Sequence, residues 1–223
     1  MESEIKELSL KFIQQVSSKV KLNNYDKDEW FKGAFFTIQR TIKGGLSNEN
    51  RSSLKNILFD SIEKLKKITP SEGKYDKWFN NIISSINFLS YGQAQKIINI
   101  LMKYHYCYYY SKADNEFRWL YQFFDFFHAP LDNILLYNLK QKFDNENICS
   151  KIKAWVYRDN YNGVFLTQGI EVRWSRLEKN NAYLYKDVQD FIRGKVKESE
   201  HWKNRLHFEM KELWISATTP NTA

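Results

Sequence analysis

The chain has 223 residues, 43% apolar and 17% aromatic, enough to bury a substantial core and too apolar for a disordered protein. Eight glycines and three prolines are too few to punctuate many short strands, so an all-α fold is expected. A formal charge of +8 points to a polyanionic partner, and the 7 Trp and 14 Tyr add ring faces on which bases stack.

Helical spacing of Ile5, Leu8, Phe12, Ile13, Val16 and Val20 predicts a first helix from Glu2 to about Val20. A second starts at Asp26, buries Trp30, Phe31, Ala34, Phe35 and Ile38, and ends at the pair Gly44-Gly45. A third runs from Asn50 to Lys67, stopped by Thr69-Pro70, and a fourth from Lys74 to Leu89. The longest follows, from Gly92 to about Ser111, and another from Asn115 to Phe127. His128-Ala129-Pro130-Leu131-Asp132 is a break, with Pro130 suited to the first turn of the next helix and Asp132 to its positive end. Further helices are expected at Ile148 to Tyr157, Leu177 to Val196 and Ser199 to Ile215. Asn160 to Val172 is the least helical stretch, a loop or short strand, and residues 216–223 read as a mobile polar tail. The expected organisation is one helical domain over residues 1–215, with room for two lobes and a cleft.

The run YGQAQKIINILMKYHYCYYY, Tyr91 to Tyr110, poses the functional question. On a wheel of about 100° per residue, Gln95, Lys96, Asn99 and Lys103 share an arc of roughly 100°, and apolar residues fill the rest. Such a stripe is either a solvated helix edge or a polar row facing a cleft. Gly92 stands at the helix start, where bare backbone N–H groups attract phosphate.

Cys107 and Cys149 form no CxxC pair, and Cys107 reads as a small core residue. His128 and Asp132 are four apart, but Pro130 lies between them and no third ligand is evident, so no metal and no cofactor are expected. MESEIKELSLKF lacks the character of a signal peptide, and no apolar run reaches membrane-spanning length. A cytoplasmic monomer that does not engage a membrane is expected.

The run GQAQKIINILMKY followed by PLD resembles the helix-hairpin-helix DNA glycosylase superfamily, and within it the archaeal 8-oxoguanine glycosylase branch. The resemblance implies an all-α, helix-hairpin-helix glycosylase-like fold and a partner in double-stranded DNA with a flipped modified base. It implies that Lys96 is the nucleophile and Asp132, 36 residues on, its electrostatic and acid–base partner. Gln95 and Pro130 fall within the matching motifs and would border the base pocket. LHFEMKELW, Leu206 to Trp214, is similar to the branch's C-terminal pocket segment and assigns Glu209 and Trp214 to the base pocket, with one extra residue between acid and Trp. The usual Leu-Pro-Gly-Val-Gly hairpin is replaced by Leu89-Ser90-Tyr91-Gly92, and no iron–sulfur cysteine set is present. Gly92, Lys103, Arg173 and Arg176 are the expected DNA contacts, the two arginines within an aromatic and basic segment from Trp174 to Arg193 and its flank.

The resemblance thus implies a base-excising glycosylase with lyase activity, in repair or in defence. An amine nucleophile must be desolvated or sit near another cation, and Lys96 lies on a mostly apolar helix that also carries Lys103. The competing reading is a non-enzymatic basic helical protein that binds nucleic acid or inhibits a protein partner. In it Lys96 is an ordinary lysine and Asp132 an ordinary helix-start residue.

Overall fold

The structure, a computed structural model, describes residues 1–17, 25–112, 116–143, 155–158, 162–167 and 170–214. It is mostly helical, with one small antiparallel sheet. Two compact units are present: residues 1–89 with 94–127, and residues 90–93 with 128–223.

The first unit holds α1 (Glu2–Ser17), α2 (Lys27–Gln39), α3 (Asn48–Leu65), α4 (Glu72–Ser85), most of α5 (Tyr91–Ser111) and a 3₁₀ helix, Arg118–Phe126. Side-chain caps set the helix starts. Asp26 accepts from the N–H groups of Asp28 and Glu29, Ser47 from Asn50, and Ser71 from Lys74. The last two move α3 and α4 two residues ahead of the sequence expectation. Chain reversal after α2 uses the left-handed conformation of Gly44 and Gly45, φ 75° and 77°.

Trp30 centres the core of this unit. Its ring meets Tyr25, His105 and Tyr108 edge-on at 5.1, 4.8 and 5.4 Å. Trp78 ties α4 to α3 by donating its indole N–H to the Ser61 carbonyl at 2.8 Å. Cys107 is buried and unbridged, as a core residue should be. Where a helix from Asn115 was expected, the chain forms the 3₁₀ helix, which buries Leu120, Phe123 and Phe124.

The second unit comprises Ser90–Gln93, α6 (Asn133–Phe143), strands β1 (Trp155–Arg158), β2 (Asn162–Thr167) and β3 (Ile170–Arg173), α7 (Ala182–Glu198) and α8 (Arg205–Phe208), which runs into a π-helical turn, Glu209–Trp214. The strands lie in the order β1-β2-β3, antiparallel throughout, with Trp155 opposite Phe165 and Phe165 opposite Val172. The sheet thus takes up the stretch expected as loop or short strand, and also Trp155–Arg158, most of which was expected to end a helix. The rest of that helix, the end of the first helix and the 216–223 tail lie outside the described residues. The last helix starts at Arg205 and not at Ser199, because the Asn204 side chain accepts from the His207 N–H.

Glu212 anchors the π turn to the rest of this unit, pairing with Lys142 of α6 and accepting from the Trp202 indole N–H at 2.9 Å. Phe143, Phe191, Phe208 and Trp202 pack beside it.

Candidate functional site

The polar row of α5 is not a solvated edge. Gln95, Lys96, Asn99 and Lys103 are 1%, 5%, 0% and 1% exposed, so the helix is buried around its whole circumference over this stretch. Asn99 donates its amide N–H to Gln95 Oε1 at 3.1 Å, one turn apart. The Lys103 ammonium lies 4.3 Å from the centre of the Phe12 ring, a cation–π contact that ties α5 to α1. Lys103, expected as a DNA contact, is therefore an interior cation packed on Phe12. Buried lysines are rare because an ammonium loses strong hydration, and two on one helix mark it as unusual.

His105, which the sequence reading passed over, lies on the same helix. Its Nδ1 is 2.8 Å from the Leu101 carbonyl, so that nitrogen carries the proton and Nε2 is a bare acceptor among the Tyr25, Trp30 and Phe117 rings. Burial pushes the imidazole down to about 4, against smaller opposing effects of the Leu101 carbonyl and Glu63. The folded state thus resists protonation that the unfolded chain accepts at about 6.5. Stability from this residue is full above that value and drains as pH falls toward 4, a loss of about 3 kcal/mol. Urea midpoints between pH 7 and 4 should show an excess loss in the natural protein relative to His105→Phe. Parallel pH profiles would reject this assignment.

In the second unit, the turn before α6 is built with equal care. Gln189 of α7 clamps Ala129 twice: the Ala129 N–H donates to Oε1 at 3.0 Å, and Nε2 donates to the Ala129 carbonyl at 2.7 Å. Beside it, His128 Nδ1 and the Tyr185 hydroxyl are 2.8 Å apart. Pro130 is buried in this turn and precedes α6 instead of opening it. Asp132 is the N-cap: its Oδ1 accepts the Leu135 N–H at 2.9 Å and its carbonyl accepts the Leu136 N–H at 3.0 Å. The helix start favours negative charge there, so the carboxylate is fixed in place.

Gly92 serves its own chain. Its N–H donates to the Leu177 carbonyl at 3.0 Å, and a Cβ on it would lie 1.7 Å from the Trp174 carbonyl oxygen. The Ser90 hydroxyl donates to the Ser175 carbonyl, and the Tyr91 ring packs edge-on against Tyr185. The expected phosphate contact at Gly92 is thereby replaced by a backbone-to-backbone approach. Arg173 closes β3 and Arg176 closes a short 3₁₀ turn, Trp174–Arg176; the structure describes their backbone alone.

Glu209 is buried at the start of the π turn and Trp214 is half-buried at its end. A π-helix pairs residue i with i+5, so these two lie one above the other along the axis, as i and i+4 do in an α-helix. Among the described residues, no group of three His, Cys, Asp or Glu side chains is placed to hold a metal, and no helix is long and apolar enough to cross a membrane.

No family model, curated protein or solved structure matches this chain.

Proposed function

We propose that the protein is a DNA glycosylase with lyase activity that excises a modified base such as 8-oxoguanine, with Lys96 as nucleophile and Asp132 as its electrostatic and acid–base partner. The observation that carries this reading is the burial of Lys96 within the polar row of α5. A surface lysine would have been the plain alternative. The one-residue excess between Glu209 and Trp214 departs from the family's spacing, and a π turn accommodates one more residue while keeping its ends on one side.

In the proposed reaction the target nucleotide leaves the duplex stack, at a cost of a few kcal/mol offset by stacking in the pocket. The Lys96 amine bonds to C1′ as the N-glycosidic bond breaks, and the base departs with the bonding electrons and is protonated. Asp132 stabilises the developing positive charge on the sugar and accepts a proton from the attacking amine. Ring opening then yields a Schiff base, from which β-elimination cleaves the strand.

Borohydride trapping on duplexes carrying a panel of modified bases tests the reading. A covalent adduct on one of them identifies the substrate class, whereas no adduct and no released base on any duplex would leave a non-catalytic DNA binder. Asp132 provides a cleaner separation of structure from chemistry. Asn caps helices as well as Asp does, so Asp132→Asn should leave the urea midpoint nearly unchanged while base release falls by roughly 10²–10⁴-fold. If Asp132→Asn released base at the natural rate, the carboxylate would be a helix cap only.

A further inference from the structure

The first unit carries an exposed aromatic ledge that the excision chemistry does not use. Tyr109, near the end of α5, and Tyr121, on the 3₁₀ helix, are stacked with centroids 5.5 Å apart and planes 28° from parallel. Buried Phe124 supports both rings edge-on, at 5.1 and 5.7 Å. Tyr121 nonetheless remains 43% exposed. A large ring held rigid and left in water is poised for stacking, because little side-chain freedom remains to be lost on binding.

Charge around the ledge favours an anion. Arg118, one 3₁₀ turn before Tyr121, is exposed, and so is Lys112, one helical turn after Tyr109. The Lys66 ammonium sits 5.2 Å from the centre of the Trp119 ring, which brings the exposed cations at the end of α3, Lys64 and Lys67 among them, alongside the 3₁₀ helix. Among the described residues these five cations stand against the carboxylates Glu63, Glu116 and Asp125, of which Glu63 is ion-paired to Lys66 at 2.6 Å. Stacking surface beside excess cations is the chemistry that holds a single strand by base faces and phosphates, without reading sequence.

We infer that the Tyr109–Tyr121 ledge binds single-stranded nucleic acid, one or two bases stacking on Tyr121. Fluorescence anisotropy of the full-length protein with labelled dT20 and rU20 tests this, with a 20-base-pair duplex as control. Tyr121→Ala should weaken single-strand binding roughly tenfold, within the range for one stacked base, while Tyr121→Phe binds like the natural protein. Arg118→Ala should reduce the salt slope by about 0.7. The stronger of the dT20 and rU20 arms identifies DNA or RNA as the ligand. Equal single-strand affinity of Tyr121→Ala and the natural protein overturns the inference, as does an unchanged salt slope in Arg118→Ala or no binding of either strand by the natural protein at about 100 μM. Because these oligonucleotides carry no modified base, failure of the glycosylase reading would leave this result standing.

Discussion

Lys96→Gln is expected to bind a modified duplex as tightly as the natural protein, yet leave no borohydride-reducible adduct and lower base release about a thousandfold or more. Glutamine keeps a long polar side chain in the buried row of α5 and removes only the amine, so the packing against neighbouring apolar residues is largely conserved. A urea midpoint measured on the same variant separates loss of chemistry from loss of fold. A phosphate-binding lysine behaves differently: its removal lowers affinity modestly and shifts the log–log salt slope by about 0.9. Affinity, salt slope and adduct together separate the two roles. Natural turnover by Lys96→Gln would end the nucleophile assignment, whatever the binding data.

Gly92→Ala should be strongly destabilising, costing about 3 kcal/mol or more. The new Cβ would meet the Trp174 carbonyl oxygen at 1.7 Å, its carbon at 2.8 Å and Leu177 Cβ at 3.2 Å. The first two are backbone atoms, so no rotamer change relieves the clash. Alanine gains up to about 1 kcal/mol in helix propensity over glycine, which is too little to offset the displacement. Separation of the backbones would also stretch the Gly92 N–H bond to the Leu177 carbonyl. Urea unfolding gives the test: a midpoint equal to that of the natural protein would mean that the start of α5 is not held against Trp174–Leu177.

The helices of the first unit were legible because each carries its apolar residues at helical spacing over three or more turns, as in Ile5, Leu8 and Phe12 or Leu54, Leu58 and Ile62. Trp155–Arg158 was not, since four residues hold too little periodicity to separate strand from helix, and their partners lie across β2. The polar row of α5 was visible on a helical wheel, but its burial was not. A wheel shows which residues share a side, while Phe12 of a distant helix covers Lys103. Gly92 was singled out for the wrong reason: glycine at a helix start fits a ligand or a second backbone equally well, and the second backbone lies some 85 residues away. Asp132 was expected inside the first turn of a helix opened by Pro130, and it caps that helix instead; the Gln189 clamp that holds its turn has no local sequence signal at all.

The second unit is assembled from two separated pieces of chain, Ser90–Gln93 and everything from His128 onward. On a ribosome, Ser90 therefore emerges 85 residues before the Ser175 carbonyl it will bind, a wait on the order of ten seconds at ordinary synthesis rates. The intervening residues 94–127 belong to the first unit and can settle there meanwhile. A fragment beginning at His128 would lack the donors of Ser90 and Gly92 for the carbonyls of Ser175 and Leu177, so cutting the chain at that boundary would not release a complete second unit.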